Sequence, residues 1–389
     1  MMELKPIEQS FSVAYAYKLY FTTDIFISEN TLFRDIMATY KPKSRIKVLF
    51  IIDDGVVKKH KNIIAKIDNY CNTHQKSLEL TESIIVKGGE HSKNSERSVN
   101  KVLKGINENG ICRHSFVIAI GGGAVIDMAG YAAAIAHRGV KLIRIPTTVL
   151  SQNDSAVGVK NSVNVFGKKN FIGTFAPPYA IINDSNFLTT LEQRDWIAGV
   201  AEAIKVALIK DASFFDYVRK HTRELREREM EAMQYTIYRC AEMHMQHIAG
   251  GGDPFENGSS RPLDFGHWAA HKLEHMSNYS IRHGEAVAKG IALDVTYAHL
   301  MGLIPAQVLD QIIKVMQQIG FDLQIPVKSG TEINELLNGI QEFREHLGGE
   351  LTITLISGIG KKHDVHQIDI EIMKEAIAKL NSKSKLNVA

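Results

Sequence analysis

Cysteine is scarce in this chain. Cys71, Cys112 and Cys240 are its three, far apart and with no CxxC pair. An odd, scattered set excludes a disulfide framework and fits a reducing cytoplasm. An excess of one charge is lacking too. Its 46 basic and 43 acidic side chains leave +3, so neither a nucleic acid nor a membrane surface is indicated as a partner. The charged run from Arg219 to Glu231 alternates in sign and reads as a solvated helix face. No apolar run approaches the roughly 18 residues of a membrane span. Met1 to Lys5 lack the apolar core of a signal peptide, so a cytoplasmic protein is expected. At 389 residues the chain exceeds one typical core, and about two domains are expected.

What is present changes texture near residue 190. Residues 10 to 36 alternate apolar and polar side chains and predict one or two strands. Lys47–Ile52, Ser83–Val86, Phe116–Ile120, Leu142–Ile145 and Tyr179–Ile182 are short runs rich in β-formers. Helical periods follow from Lys58 to Thr73 and from about His91. Strands alternating with helices argue for a mostly parallel α/β sheet. Beyond residue 190 the segments 196–210, 213–246, 267–277, 284–301 and 305–319 carry helical periodicity. A small hairpin is expected at 350–356 and a frayed tail after Leu380. The expected division is an α/β domain over 1–190 and a helical domain over 191–389.

Four stretches carry chemistry. Gly121-Gly122-Gly123 sits between a strand and a helix, where backbone can approach a ligand and the helix N-terminus favours an anion. It is not G-x-G-x-x-G, so the pattern alone is weak, and a tight turn with no ligand is the lesser alternative. The loops holding Asp154, Lys160, Lys169 and Asn170 suit a phosphate or polyol, as they also suit a plain surface. Glu202 lies in an apolar helical run and needs a partner, either a metal ion or Lys205 one turn on. His267 and His271 share a helix face, and His283 follows a break near Asn278-Tyr279. Glu202, His267 and His283 would make a His₂Glu zinc site. In a chain with 16 histidines, surface or core imidazoles remain the alternative.

These stretches occur in one order: Gly121-Gly122-Gly123 with Asp127, His137-Arg138-Gly139, Ile145-Pro146-Thr147-Thr148 with Asp154-Ser155, Gly158 with Lys160, Gly167-Lys168-Lys169-Asn170, Ala201-Glu202 with Lys205, Phe265-Gly266-His267, and His283-Gly284-Glu285. The series resembles the 3-dehydroquinate synthases and their sugar-phosphate cyclase relatives. The resemblance implies a cyclase that uses NAD and zinc or cobalt, with a Rossmann-like nucleotide-binding α/β domain over 1–190 and a helical metal-binding domain over 191–389. It oxidises a hydroxyl transiently, eliminates phosphate, reduces the ketone and closes a carbocycle by an aldol step. It implies Glu202, His267 and His283 as metal ligands. NAD would be lined by Asp53, Glu90, Lys93, Gly121, Gly122, Gly123, Asp127, Thr147, Thr148, Phe187 and Thr190. The sugar phosphate would be held by Arg138, Asp154, Lys160, Lys169, Asn170, Lys205, Asp264, His271 and Arg344. Of these, His271, Lys160, Lys205 and Asp154 would take part in catalysis. Arg138 would reach a neighbouring subunit's site, which implies a homodimer.

The pattern departs where a substrate carboxylate would bind. Asp264 stands where those synthases have Asn. Their upstream arginine falls on Ser260, beside Arg261. Their earlier lysine has no clear match, with Arg239 or Cys240 nearest. Such a wall suits hydroxyls better than a carboxylate. Three functions stay open: the dehydroquinate synthase reaction, a sibling reaction on a carboxylate-free substrate of the sedoheptulose 7-phosphate type, and a metal- and NAD-dependent alcohol dehydrogenase of the glycerol dehydrogenase type.

Overall fold

The computed structural model describes residues 5–41, 44–251, 254–255 and 262–386. Ser260 and Arg261 lie outside these residues. The first half is built on β1 (Lys18–Thr22), β2 (Ile46–Asp53), β3 (Leu78–Val86), β4 (Phe116–Gly121), β5 (Lys141–Pro146) and, later in the chain, β8 (Ala180–Asp184). They form one sheet in the order β1-β8-β5-β4-β2-β3, with every pairing parallel. Covered on both faces, β2 and β4 are apolar almost without interruption. Around the sheet lie α1 (Leu32–Tyr40), α2 (Asp54–Lys59), α3 (Ile63–Thr73), α4 (Glu96–Glu108) and α5 (Gly123–Ile135). One apolar cluster, with Phe33, Phe50 and Tyr70, fills one side of the sheet. Another, with Val102, Met128 and Leu142, fills the other.

Two features follow β5: a single π-helical turn, Ser151–Ser155, and a hairpin of β6 (Lys160–Val165) and β7 (Lys168–Phe175). Arg144 of β5 secures this excursion. Its buried guanidinium donates to the carbonyls of Ala156, Gly158 and Lys160 and to Asn161 Oδ1, at 2.5–3.2 Å.

The second half comprises α6 (Gln193–Lys210), α7 (Ala212–Lys220), α8 (Thr222–Arg226), α9 (Met230–Gly250), α10 (His267–Met276), α11 (His283–Leu300), α12 (Ala306–Ile319), α13 (Gly330–His346) and α14 (Ile370–Leu386), with a hairpin of β9 (Ile353–Gly358) and β10 (Lys361–Val365). Helices α6 and α11 are buried on nearly every face, as helices at the centre of a core must be. Helix α11 packs against α6, α10, α12 and α14. No helix among the described residues is long and apolar enough to cross a membrane.

Several expectations change. Residues 10 to 36 hold one strand and the start of α1. The alternating segment before β1 has no regular structure and exposes Ile7, Phe11, Val13 and Tyr15, so its pattern finds no core within this chain. Only a 3₁₀ turn (Glu90–Ser92) begins near His91, and α4 starts at Glu96. The period over 213–246 breaks into three helices, with Arg228 in the left-handed region at φ 71°. The tail after Leu380 is not frayed at once: α14 continues to Leu386.

Candidate active site

Three helices converge because glycines let them. Gly266, at φ 79°, turns the chain into α10, and a Cβ there would meet the backbone nitrogen of Ile291 at 2.8 Å. A Cβ on Gly284 would meet the Ala198 carbonyl oxygen at 2.2 Å. Side chains at either place would wedge α11 away from α10 or α6. Asp294 of α11 locks the approach by accepting from Gly266 N and Trp268 Nε1, at 3.0 and 2.9 Å. Burial pushes its carboxyl up to about 7.

This packing puts His267 and His283, the first residues of α10 and α11, beside Glu202 on α6. Their ligand atoms all lie within 4.8 Å of one another. The Nε2 atoms of His267 and His283 are 3.8 and 3.6 Å from Glu202 Oε1. Zinc bonds of about 2.1 Å in a tetrahedron would place ligand atoms roughly 3.4 Å apart, so small adjustments suffice. Each Nδ1 is already engaged: His267 with the Phe265 carbonyl and His283 with Glu274 Oε2, both at 3.1 Å. Such partners orient a ligating imidazole and leave Nε2 for the metal. Glu202 is fully buried, and its Oε1 accepts no hydrogen bond. The residues therefore fit a divalent cation.

The electrostatics agree. Burial opposes charge on Glu202, but Lys205, 2.5 Å from Oε2, and His283 hold its carboxyl down to about 2. Burial likewise opposes the Lys205 ammonium, which Glu202 and Asp154 nevertheless keep charged. Burial, with Lys205 nearby, keeps His267 neutral, as a ligand must be. His283 is pulled down by burial yet raised to about 10 by Glu274 and Glu202. Two carboxylates that attract a proton so strongly also favour a dication.

A cavity of about 630 Å³ opens on this cluster. Its walls include Asp154, Lys160, Asn170, Lys205, Asp264 and His271 from the expected set. The His271 ring lies 5.5 and 5.9 Å from those of His267 and His283. Asp127, Lys93 and Asn170 come together here. Buried Lys93 donates to Asp127 Oδ2 at 2.6 Å, to Asn170 Oδ1 at 2.5 Å and to Ser162 Oγ at 3.1 Å. Lys169 is not on the cavity wall. Its ammonium holds Glu274 Oε1 at 2.7 Å, one step behind His283.

The strand ends carry most of the residues expected to line NAD. Asp53 caps α2, and Gly121, Gly122 and Gly123 pass from β4 into α5. A Cβ on Gly123 would strike Ser155 Oγ at 2.4 Å, and that hydroxyl is buried without a partner. Bare backbone at the N-terminus of α5 fits a dinucleotide's phosphates. Thr147 and Thr148 follow β5 on the same edge, and Thr147 N donates to Gly121 O. Glu90 accepts from Asn164 at 2.6 Å. Phe187 and Thr190 lie beside His60, with Thr190 Oγ1 3.0 Å from its Nε2.

Besides Lys169, two residues expected to hold the substrate are not brought to the cavity. Arg344 is exposed and donates to the Gly349 carbonyl at the end of its own helix, at 2.7 Å. Arg138 is exposed past the C-terminus of α5. Others went unnoticed in the sequence. Glu274 follows His267 and His271 at helical spacing, so the face they share did signal it. His244, Asp294 and Arg144 gave no local signal. Glu274→Gln is expected to weaken zinc binding about 10- to 100-fold through the loosened His283. A competitive chelator titration checks this, and an unchanged constant would remove Glu274 from the support of the site.

Comparison with known proteins decides the family. The 3-dehydroquinate synthase N-terminal model matches residues 83–198, and the C-terminal model matches 199–343. This chain is a member of the 3-dehydroquinate synthase family. It is 34% identical over 295 residues to the 3-dehydroquinate synthase of Shewanella halifaxensis (strain HAW-EB4), covering 76% of this chain and 81% of that one. A solved 2-epi-5-epi-valiolone synthase from Streptomyces hygroscopicus subsp. jinggangensis 5008, with NAD⁺ and Zn²⁺ bound, superposes with a TM-score of 0.86. It is 26% identical, with 97% and 100% of the two chains covered. A 2-deoxy-scyllo-inosose synthase shares the fold at a TM-score of 0.76 and 23% identity, over 93% and 96%. Glycerol and iron-containing alcohol dehydrogenases share it more distantly, which sets the dehydrogenase alternative aside. The chain is a cyclase of the dehydroquinate synthase type, with the two-part α/β and helical fold of that family.

Proposed function

We propose that the protein is an NAD- and zinc- or cobalt-dependent, phosphate-eliminating carbon–oxygen lyase. Its substrate is a sugar phosphate without a carboxylate, of the sedoheptulose 7-phosphate class. One observation carries the chemistry: the buried Glu202 carboxylate lies beside His267 and His283, and both imidazoles open on a cavity that Asp154, Lys160 and Lys205 also line. When bound, the metal supplies polarisation of substrate oxygens and NAD takes up and returns a hydride. Lys160 holds the phosphate, Lys205 and Asp154 orient hydroxyls, and His271 moves protons at the cavity wall. The resident set would be Glu202, His267 and His283 for the metal. For NAD it would be Asp53, Glu90, Lys93, the Gly121–123 turn, Asp127, Thr147, Thr148, Phe187 and Thr190.

The substrate class follows from charge. Among the described residues, the lysines on the cavity wall are Lys160 and Lys205, and Lys205 is paired with Glu202. Asp127, Asp154 and Asp264 supply three carboxylates. Arg239 turns to Asp211 and Glu242. A substrate carboxylate would be poorly matched here, at a cost of roughly 2–5 kcal/mol.

The test is phosphate release by the NAD- and metal-loaded protein from a panel of seven- and six-carbon sugar phosphates. Turnover confined to the keto-acid phosphate would favour the dehydroquinate synthase reaction, which the 34% identity supports. Asp264→Asn is expected to improve the use of a carboxylate-bearing substrate. No gain, or a further loss, would count against Asp264 as a determinant. The proposal retains a domain division near residue 190 and a cytoplasmic homodimer to which Arg138 contributes. The three free cysteines are consistent with a reducing compartment.

A further inference from the structure

The cavity holds a polar pair that the metal cluster does not use. His244 lies on α9, ninety residues from Asp154 in sequence, yet its Nδ1 comes within 3.1 Å of Asp154 Oδ1. The pair is enclosed, with side chains 13% and 19% exposed, and both residues line the cavity. One turn earlier, Cys240 is fully buried in the helical core. The helix where the resemblance called for a lysine thus presents the cavity with an imidazole, while Arg239 faces elsewhere.

We propose that His244 and Asp154 act together as a hydroxyl-recognition pair, which selects a polyol sugar phosphate over one bearing a carboxylate. This rests on the substrate reading above. An ionised carboxylate only accepts hydrogen bonds. With Nδ1 turned to Asp154 at 3.1 Å, the His244 ring leaves Nε2 to the substrate, as a second acceptor when Nδ1 carries the ring's proton. Burial and Glu202 oppose ionisation of Asp154, but Lys205 and His244 hold its carboxyl below the usual value. Two adjacent acceptors match the hydrogens of neighbouring hydroxyls. A substrate carboxylate brings acceptors only, and finds neither a donor nor a cation in this pair. His244 serves both as a wall for the substrate and as the group that orients Asp154.

The test uses the NAD- and metal-loaded protein. Phosphate release is measured from a carboxylate-free heptulose phosphate and from a seven-carbon keto-acid phosphate. His244→Leu removes both nitrogens at similar bulk. His244→Asn keeps an N–H near the Nδ1 position. His244→Leu is expected to raise KM for the heptulose phosphate about 10- to 100-fold, the loss of a hydrogen bond to a charged group, with kcat little changed. His244→Asn should restore only the part of the loss that comes from orienting Asp154, because it lacks the Nε2 acceptor. Zinc content should stay at the wild-type level in both. Calorimetric titration of the heptulose phosphate with NAD withheld should give the same order without turnover. Should His244→Leu not fold, His244→Gln, whose amide reaches the Nε2 position instead, replaces it and should raise KM as well. Wild-type KM in these variants, on a wild-type protein that does use the heptulose phosphate, would overturn this inference alone. A wild-type protein that uses only the keto-acid phosphate would overturn the substrate reading and this inference with it.

Discussion

Glu202→Gln is expected to leave the protein with far less than one divalent ion per chain and almost no cyclase activity. Glu202 is the anionic member of the proposed ligand set, and its Oε1 faces two imidazole nitrogens at 3.6 and 3.8 Å. Altering even an outer-shell partner costs about 10- to 100-fold in metal affinity, so loss of the charged ligand should cost at least ~100-fold. The substitution also leaves the buried Lys205 ammonium without its counter-charge. Breaking a buried pair in this way typically destabilises by about 3–5 kcal/mol. Metal analysis after dialysis and a melting curve separate the two effects. A variant that keeps stoichiometric zinc would remove Glu202 from the ligand set. One that loses zinc but melts as the parent does would mean that Lys205 finds another partner.

Arg144→Met is expected to be the most damaging substitution outside the metal cluster. The guanidinium is fully buried, and burial lowers it to about 10 without discharging it at neutral pH. It satisfies three backbone carbonyls and Asn161 in the segment that carries Asp154 and Lys160. Methionine fills similar space but donates nothing. Each stranded acceptor costs about 1–3 kcal/mol, partly recovered by relaxation, so a net loss of roughly 3–5 kcal/mol is expected. Activity measured well below the melting point should fall as well, because the π-turn and β6 lose their common anchor. Denaturant unfolding and steady-state kinetics on the same preparation check both effects. A stable variant with the parent's KM would show that the excursion after β5 holds itself in place.

Five of the six parallel strands were legible because each is a short apolar run closed by a turn, and strand formation follows local pattern; β1 was legible only as part of the alternation over 10–36. The proposed metal ligands were legible for a different reason. His267 and His283 sit in short contiguous motifs, and Glu202 is an unexplained charge in an apolar helix. The residues that escaped notice act across long separations. Glu274 meets Lys169 from 105 positions away, and Asp294 reaches back 28 to Gly266. No local period records such meetings. The failure at 10–17 has the same origin: the alternation was real, but a strand must pair with an edge, and these residues pair with none among the described residues.

By itself, the order of residues determined the succession of strands and helices, the family, and which side chains could bind a cation, since these depend on neighbours within a few turns of chain. Tertiary structure alone decided that Lys169 supports His283 rather than facing the cavity, that Arg239 and Arg344 turn away, and that His244 meets Asp154. Those outcomes depend on how closely α6, α10 and α11 pack and on where the excursion after β5 is pinned. Close packing and burial, rather than any local preference, assign each polar group its partner.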